Sequence, residues 1–284
     1  MTCLDDVLIE DLRCTAADGR LMLHLPSLRI QRGERVAVIG PNGAGKSTLL
    51  RCLTGFAKPA CGQLQVLQHD LKAGLSRAAW RALRAEAAQV LQGLHLVQRL
   101  SALDNVLIGA LGRATGWRSW LRWPLPSAVD EALRALDAVG LRSHAATRAD
   151  RLSGGEQQKV SIARMLMQRP RLILADEPTA SLDPAATGEA CQLLRHSAAR
   201  ATLLVVVHNP DLLPLLADRV VGLRAGALRF DLPVAALNAG LLAALYEPAG
   251  AAAEPAAAAA RAALCSPRAN LRQAASPLWR QPAA

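Results

Sequence analysis

A short segment of the chain combines glycines, a lysine and two hydroxyl residues at a spacing that suits phosphate chemistry. Its residues are Gly40, Pro41, Asn42, Gly43, Ala44, Gly45, Lys46, Ser47 and Thr48. They fit the pattern G-x-x-x-x-G-K-[ST] at every fixed position. The glycines let backbone N–H groups face an anion, because no Cβ atom obstructs them. In such a loop we expect Lys46 to reach the β- and γ-phosphates of a nucleotide and Ser47 to bind Mg²⁺.

Two acidic residues lie where a second part of such a site is expected. Asp176 and Glu177 directly follow residues 172–175, an apolar run that predicts a buried strand. Ligands of open α/β sheets bind at the carboxyl ends of the strands, where these two carboxylates would lie. We expect Asp176 to hold Mg²⁺ through water and Glu177 to polarise an attacking water molecule.

A serine and a glycine pair mark a third candidate. Ser153, Gly154, Gly155 and Glu156 begin a predicted helix, so backbone N–H groups and a hydroxyl are available there for a phosphate. The alternative is that Ser153 is a simple helix N-cap. A single phosphate loop rarely needs a second anion site unless two subunits share each nucleotide.

The elements that must position these residues follow an α/β pattern. Residues 35–39 predict a buried strand before the phosphate loop, and residues 47–53 predict a helix after it. Residues 1–35 contain two shorter strand-like runs with a turn at 17–19, which indicates a small antiparallel sheet. After residue 151, strands alternate with helices, which predicts a parallel sheet with helical crossovers.

Two other regions have a different character. Residues 76–151 carry apolar residues at helical spacing, interrupted by glycines and prolines, and predict an inserted α-helical subdomain. Residues 248–284 are rich in alanine and proline, with arginines and a single acid, Glu254. Such a segment cannot build a core, so we predict a disordered tail, either a solvated linker or a binder of anionic surfaces.

Composition limits the classes of protein that need to be considered. The 284 residues contain no uncharged apolar run near the ~18 residues of a membrane span, and the first ten residues show no signal-peptide pattern. Six scattered cysteines without a C-x-x-C pair favour reduced thiols in a cytosolic protein. A net charge of +10 fits nucleic acid, an acidic partner or anionic lipid, and equally a general arginine bias.

These motifs together resemble the ATP-binding subunits of ABC transporters. The resemblance covers about residues 4–235, and five motifs occur in the order that the family shows. They are the phosphate loop 40–48, Gln92, the signature 152–156, the acidic strand 172–177 followed by residues 181–184, and His208. The resemblance implies an ABC-type P-loop NTPase domain over 1–247, with an N-terminal antiparallel β subdomain, a mainly parallel core sheet and the helical insertion.

The resemblance also implies roles for individual residues. Gln92 would contact Mg²⁺ and sense a membrane subunit, and His208 would hold the γ-phosphate. A head-to-tail dimer would sandwich two ATP molecules, each between the phosphate loop of one copy and Ser153, Gly154 and Gly155 of the other. Asp183 would communicate across that dimer. Lys46, Gln92, Glu177 and His208 would form the catalytic set.

Two features depart from the family pattern. The family usually places an aromatic residue before the second strand to stack on adenine, and residues 12–20 contain none, so Cys14 or a neighbour offers only apolar contact. The signature ends in Glu156, where glutamine is commoner.

The cargo is indicated by a less specific stretch. Residues 90–109 and 117–120 are similar to the ATPases of phosphonate importers. The resemblance implies transport of phosphonate or a related phosphorus oxyanion, with permease subunits docked beside Gln92 and an external substrate-binding protein. The chain would then lie at the cytoplasmic face of the inner membrane. Three arginines and three tryptophans in 113–123 favour contact with the permease, and ordinary packing of the tryptophans is an equal alternative.

Other functions remain open at this point. The same fold also serves importers of amino acids or metals. A soluble ABC ATPase acting on nucleic acid or ribosomes is a third class, which the positive charge favours. One phosphate loop and one signature argue against nucleic acid as the partner, because soluble members usually carry two cassettes in one chain.

Overall fold

Ten strands of the described chain join in one sheet. The protein was studied as a computed structural model that describes residues 4–91, 95–113, 125–179 and 182–247. The strands are β1 (Asp5–Thr15), β2 (Leu21–Gln31), β3 (Arg35–Ile39), β4 (Gln63–Val66), β5 (His69–Asp70), β6 (Ala87–Val90), β7 (Leu172–Asp176), β8 (Thr202–Val206), β9 (Arg219–Arg224) and β10 (Ala227–Pro233). Their order across the sheet is β5-β4-β1-β2-β10-β9-β3-β8-β7-β6.

Eight α-helices accompany the sheet in the described ranges. They are α1 (Lys46–Leu53), α2 (Arg77–Glu86), α3 (Ala102–Ile108), α4 (Pro126–Ala138), α5 (Gly154–Gln168), α6 (Pro184–Ser197), α7 (Leu213–Leu216) and α8 (Ala239–Tyr246). Several begin at residues whose side chains accept a backbone N–H of the first turn. Ser76 caps α2 and Ser101 caps α3 in this way, as expected for serine at an N-cap.

The N-terminal strands form the predicted antiparallel sheet. β1 pairs with β2 on one side and with β4 on the other. The turn between β1 and β2 is closed by a 2.9 Å hydrogen bond from the N–H of Ala16 to the carbonyl of Arg20. Both strands are eleven residues long, so they extend well beyond the apolar runs that predicted them. The extra length comes from alternating polar residues whose neighbours face the core.

The C-terminal half of the sheet is mainly parallel. β8 lies between β3 and β7 and is parallel to both, and β6 extends the parallel set beyond β7. Alternate residues of β3 face opposite cores: Val36 and Val38 lie in one buried cluster, Ala37 and Ile39 in the other. Burial on both faces explains why these strands are continuous apolar runs.

The two faces of the sheet are covered by different elements. α1 packs into the cluster that also contains the inner residues of β1 and β2. Residues of α3 to α8 contribute to the other cluster, and within it α3, α4 and α5 contact one another. The sheet therefore lies between α1 and α2 on one face and the larger group of helices on the other.

The range 76–151 is not helical throughout, which corrects the expectation from the sequence. It includes β6, whose residues pair with β7 from Ala87 opposite Leu172 to Val90 opposite Ala175. The alanines at 87 and 88 continue the helix-favouring composition of α2, so local propensity gave no sign of the strand. Pairing with a buried neighbour decides the conformation here.

Several predictions concern residues outside the described part of the chain. These are Gln92, Ser181, the arginine- and tryptophan-rich stretch from 114 to 124, and the tail 248–284. Among the helices that are described, none has the length and apolar composition to cross a bilayer.

Candidate active site

The phosphate loop connects β3 to α1, as the sequence predicts. Gly45 is the residue before α1 and has a left-handed conformation with φ of 101°, which glycine adopts without strain. A Cβ atom on Gly45 would lie 3.0 Å from the carbonyl oxygen of Met22 and 3.0 Å from Leu23 Cδ1. The close approach of β2 therefore requires glycine at this position.

Lys46 is the charged residue of the loop, and it is buried and hydrogen-bonded. Its Nζ donates to the carbonyl oxygens of Gly40 at 2.7 Å and Pro41 at 3.1 Å, and the residue is only 6% exposed. Burial lowers the pKa of Lys46, and the carboxylates of Glu177 and Asp176 act in the opposite direction. An ammonium group has three N–H donors, so one remains after these two bonds.

Ser47 and Asp176 form the second part of the site. Both residues line one cavity, with Asp176 at the end of β7. Burial raises the pKa of Asp176 above its usual range, and the nearby Ser47 hydroxyl opposes this effect. A hydroxyl and a carboxylate side by side are oxygen ligands of the kind that Mg²⁺ prefers.

Glu177 has an unusual backbone conformation. Its φ is 47°, in the left-handed region that non-glycine residues seldom occupy. The N–H of Glu177 donates to the carbonyl of Val206 at 3.2 Å, which holds the residue against the end of β8. Such conformations are found where the surrounding structure fixes a functional side chain.

The strand register brings these groups to one edge of the sheet. Val206 of β8 lies opposite Val38 of β3 on one side and opposite Asp176 of β7 on the other. The phosphate loop, Glu177 and His208 each follow within a few residues of this level. His208 is exposed, and the N–H of the preceding Val207 donates to the Val38 carbonyl at 3.1 Å.

The signature residues form a helix cap on α5. The Ser153 side chain accepts the N–H of Glu156 at 3.3 Å, and the Glu156 carboxylate accepts the N–H of Ser153 at 2.8 Å. This reciprocal pair is a capping box. The Ser153 hydrogen bonds lower the pKa of Glu156, and His144, at 3.7 Å, adds to this effect.

The N-cap alternative for Ser153 is therefore correct as a description of this conformation. Gly154 faces open space, and Gly155 faces Ala186 and Leu182. Within the described ranges, no hydrogen bond or ion pair joins 153–156 to the phosphate loop. The structure thus brings Lys46, Ser47, Asp176 and Glu177 together and leaves the signature separate from them.

Asp183 has a structural role in addition to the one inferred from the resemblance. Its side chain accepts the N–H of Ala186 at 2.9 Å and caps α6, with Pro184 at the first helical position. Gln92 lies outside the described residues, so the structure gives no position for it.

A cavity of about 450 Å³ adjoins Ser47 and Asp176. It runs from these two residues past Gln89 to His95 and Phe56, whose side chain is 64% exposed. The cavity is also lined by Leu91 and His95, the residues on either side of the segment that contains Gln92.

The phosphate loop also makes a contact that was not predicted. The Gly226 N–H, in the turn after β9, donates to the Ala44 carbonyl at 3.2 Å. Gly226 is distant from the loop in sequence, so no local pattern indicates this contact.

Comparison with known proteins agrees with this geometry. The family model described as ABC transporter matches residues 23–180. A protein of Rhodopseudomonas palustris named "Phosphonates import ATP-binding protein PhnC 1" is 40% identical over 240 residues, covering 84% of this chain and 88% of that protein. A protein of Stutzerimonas stutzeri named "Phosphonates import ATP-binding protein PhnC" is 43% identical over 244 residues, covering 84% and 88%.

Solved structures of related proteins share the fold. The ATP-binding cassette MJ0796, described as a dimer in a post-hydrolysis state bound to ADP and Pi, has a TM-score of 0.71 at 28% identity. That match covers 80% of this chain and 98% of the cassette. The cbiO1 protein of Clostridium perfringens has a TM-score of 0.69 at 28% identity, covering 81% and 89%. The chain therefore belongs to the ABC transporter family, in which it is an ATP-binding subunit with ATPase activity.

Proposed function

We propose that this subunit hydrolyses ATP to drive the import of phosphonate or a related phosphorus oxyanion. The relatives named for phosphonate import are 40–43% identical to it over 84% of the chain. The likeness of residues 90–109 and 117–120 to phosphonate-importer ATPases supports the same cargo. The importer function places the subunit at the cytoplasmic face of the inner membrane, bound there through its permease.

ATP binds with its triphosphate in the loop 40–48. The backbone N–H groups at the start of α1 and the helix dipole stabilise the negative charge. Lys46 is already oriented by the carbonyls of Gly40 and Pro41, so its remaining N–H can donate to the β- and γ-phosphates without a rotamer search. Thr48 lies in the first turn of the same helix.

Mg²⁺ fits the residues beside the triphosphate. Ser47 and Asp176 line the same cavity, and burial disfavours the charged Asp176 carboxylate in the absence of a cation. These two residues, together with Gln92, would hold the ion. When bound, it neutralises charge that develops on the phosphate oxygens.

Glu177 acts as the general base. It follows β7 with a left-handed backbone, and its carboxylate raises the pKa of Lys46, which supports a position close to the triphosphate. A carboxylate in this place can accept a proton from the water that attacks the γ-phosphorus. His208, at the same edge of the sheet, donates to the γ-phosphate and fixes its position.

A second copy of the chain completes each site. The open face of Gly154 and the N-terminus of α5 can approach the γ-phosphate of ATP bound to the other copy, in a head-to-tail dimer. Leu182, the residue before Asp183, lies beside Gly155 at the start of α5. Asp183 would therefore link the signature of one copy to the site of the other. The dimeric MJ0796 cassette supports this assembly.

The permease docks at the cavity that opens beside Phe56. This cavity joins the Ser47–Asp176 pair to the ends of the Gln92 segment, so contact at its mouth can influence the nucleotide. Its exposed aromatic ring is typical of an interface anchor. An external substrate-binding protein delivers cargo to the permease and meets this chain only indirectly.

The observation that best supports ATP hydrolysis at this site is the strand register. Val206 lies opposite Val38, just before the phosphate loop, and opposite Asp176, just before Glu177. We would test the function in cells that lack this chain and have a phosphonate as the only phosphorus source. Wild type should restore growth and uptake of labelled phosphonate, and Glu177→Gln should restore neither. Normal uptake in the deletion strain, or rescue by the variant, would contradict the proposal.

A further inference from the structure

One wall of the cavity beside Ser47 and Asp176 is bound to the helix that carries the signature. His95 lines this cavity, and its carbonyl oxygen accepts a 2.9 Å hydrogen bond from Nη1 of Arg164 on α5. His95 has a φ of 46°, in the left-handed region that non-glycine residues seldom occupy. Such a backbone persists where the surrounding structure holds it, and the bond from Arg164 is one such restraint.

Arg164 itself lies at a close contact between two helices. A Cβ atom on Gly109, which ends α3, would be 2.2 Å from the carbonyl oxygen of Arg164. α3 therefore packs directly on α5 at this residue. Burial also lowers the pKa of Arg164, because the guanidinium group is largely withdrawn from water. The side chain that holds His95 thus starts from a fixed point of the helical group.

The chain that follows His95 is joined to α3 by a buried amide. The side chain of Asn105, which is 0% exposed, accepts the N–H of Val97 at 2.8 Å. It donates to the carbonyls of Val97 at 3.1 Å and Ser101 at 3.0 Å. An amide with donors and an acceptor all engaged fixes the loop that it binds.

The same loop is joined by its backbone to the residues that lead into the signature. The N–H of Ala149 donates to the carbonyl of Leu100 at 2.9 Å, and the N–H of Asp150 donates to the carbonyl of Gln98 at 3.1 Å. The signature begins two residues later, at 152. The loop after His95 and the signature are therefore parts of one hydrogen-bonded unit.

α5 connects the two ends of this unit. Arg164 and Gly154 lie on the same continuous helix, and about 15 Å of helix axis separates them. A shift of the cavity wall at His95 is thus linked to a shift of the signature by one rigid element.

We propose that Arg164 is a positioning residue for the ATP-dependent dimer: it fixes the signature that one copy offers to its partner relative to the cavity beside its own Mg²⁺ site. It acts through His95 and α5 and not on the nucleotide. The inference rests on the dimer put forward under the proposed function. Loss of the hydrogen bond reduces the share of molecules whose signature is correctly placed, and the apparent affinity for the partner falls by the same factor.

The test is made in Glu177→Gln protein, in which blocked turnover keeps ATP bound. Arg164→Met removes the N–H donors and keeps most of the length of the side chain. Sedimentation velocity with saturating ATP and Mg²⁺ measures the dimer dissociation constant, and titration of dilute, monomeric protein measures the ATP affinity. We expect the dimer dissociation constant to rise at least about tenfold, the value of one hydrogen bond from a charged group, and the ATP affinity to stay within about twofold.

Arg169→Met is the matched control, because it removes an arginine just after the end of the same helix. Arg169 pairs with Glu131 of α4 at 2.7 Å and does not line the cavity. This variant should dimerise as the Glu177→Gln parent does. Arg164→Lys retains a charged donor and is the milder second variant. It should show the same separation between dimer affinity and ATP affinity, with a smaller amplitude.

An unchanged dimer dissociation constant in both Arg164 variants would overturn the inference. An equal loss of ATP affinity would also overturn it, because Arg164 would then support the fold as a whole. Either result leaves the proposed function intact. A Glu177→Gln parent that binds no ATP, or that stays monomeric with ATP, would instead overturn the proposed function and the inference together.

Discussion

Lys46 donates a 2.7 Å hydrogen bond from Nζ to the carbonyl oxygen of Gly40, six residues earlier in the same loop. The ammonium group is therefore held by the backbone before any phosphate is present. Its charge is partly compensated by the carboxylates of Glu177 and Asp176. The loop, the acids and the cation thus form one electrostatic unit.

Lys46→Met should remove most of the affinity for ATP. The substitution deletes the cation and leaves the Gly40 and Pro41 carbonyls without their donor. Truncating one member of a buried charged contact costs about 2–5 kcal/mol, which is at least about thirtyfold in affinity. Titration calorimetry measures the change. Lys58→Met, at an exposed lysine, is the control and should bind as wild type does; equal binding by both variants would refute the role of Lys46.

Glu177→Gln should block turnover and retain ATP binding. The amide keeps the size of the side chain but cannot accept a proton from water, and loss of a general base reduces rates by about 10²–10⁴. Phosphate release and ATP binding are measured on the same preparation. Glu189→Gln is the control: Glu189 lies on α6 and pairs with Lys159 of α5, and this variant should hydrolyse ATP at the wild-type rate. ATP hydrolysis within tenfold of wild type in the Glu177 variant would exclude this residue as the base.

Asp176→Asn should raise the melting temperature when Mg²⁺ and nucleotide are absent. Burial raises the pKa of Asp176 in the folded state, so the charged carboxylate opposes folding at neutral pH. The opposition is relieved as the pH falls through this raised pKa, so the gain of the variant, at least about 1 °C at neutral pH, should shrink on acidification.

With Mg²⁺ and ATP, wild type should instead have the higher melting temperature, because a charged carboxylate binds the cation more strongly than a neutral amide does. Thermal shift assays at several pH values measure both effects. Asp130→Asn, at an exposed aspartate of α4, controls for the loss of a charge. A lower melting temperature of Asp176→Asn without Mg²⁺ would contradict the dominance of burial at this carboxylate.

Glu156→Ala should destabilise the protein by about 1 kcal/mol, the usual effect of losing a helix cap. The Glu156 pKa is lowered by its bonds to Ser153, so the stabilisation is present above the ordinary glutamate pKa. It is lost as the pH falls through the lowered value. Urea unfolding at neutral and acidic pH measures the difference. Glu156→Gln can still accept the Ser153 N–H and should stay close to wild type at neutral pH.

Cys52 should be unreactive in the native protein. Burial raises its pKa to about 12, and the neighbouring Cys14 adds to this effect. The thiolate is the reactive form, so alkylation near neutral pH should be about 10³-fold slower than in concentrated urea, where the pKa is ordinary. Mass spectrometry of peptides labelled with iodoacetamide measures both rates. Similar rates in the two conditions would mean that the helix after the phosphate loop opens readily.

The sequence predicted the parts of the site that depend on local chemistry. The phosphate loop and the Asp176–Glu177 pair were found because residue type and spacing determine their function directly. β6 was missed because its conformation depends on pairing with Leu172 and its neighbours, far along the chain. The hydrogen bond from Gly226 to Ala44 was missed for the same reason, because Gly226 lies far along the chain from the loop.

The sequence offered a helix N-cap as one interpretation of Ser153, and Ser153 does cap α5 in the structure. The reciprocal bond from Glu156 could have been anticipated from the serine and glutamate three residues apart, which is the sequence pattern of a capping box. A glutamine at this position can form the same pair, so the capping box is compatible with either residue.

β3 has β9 on one side and β8 on the other, and both are encoded long after the phosphate loop. During synthesis, the nascent polypeptide therefore displays the complete loop motif well before any neighbour exists to shape it. A translation product that stops before residue 202 contains every residue of the motif and lacks both strands that flank β3.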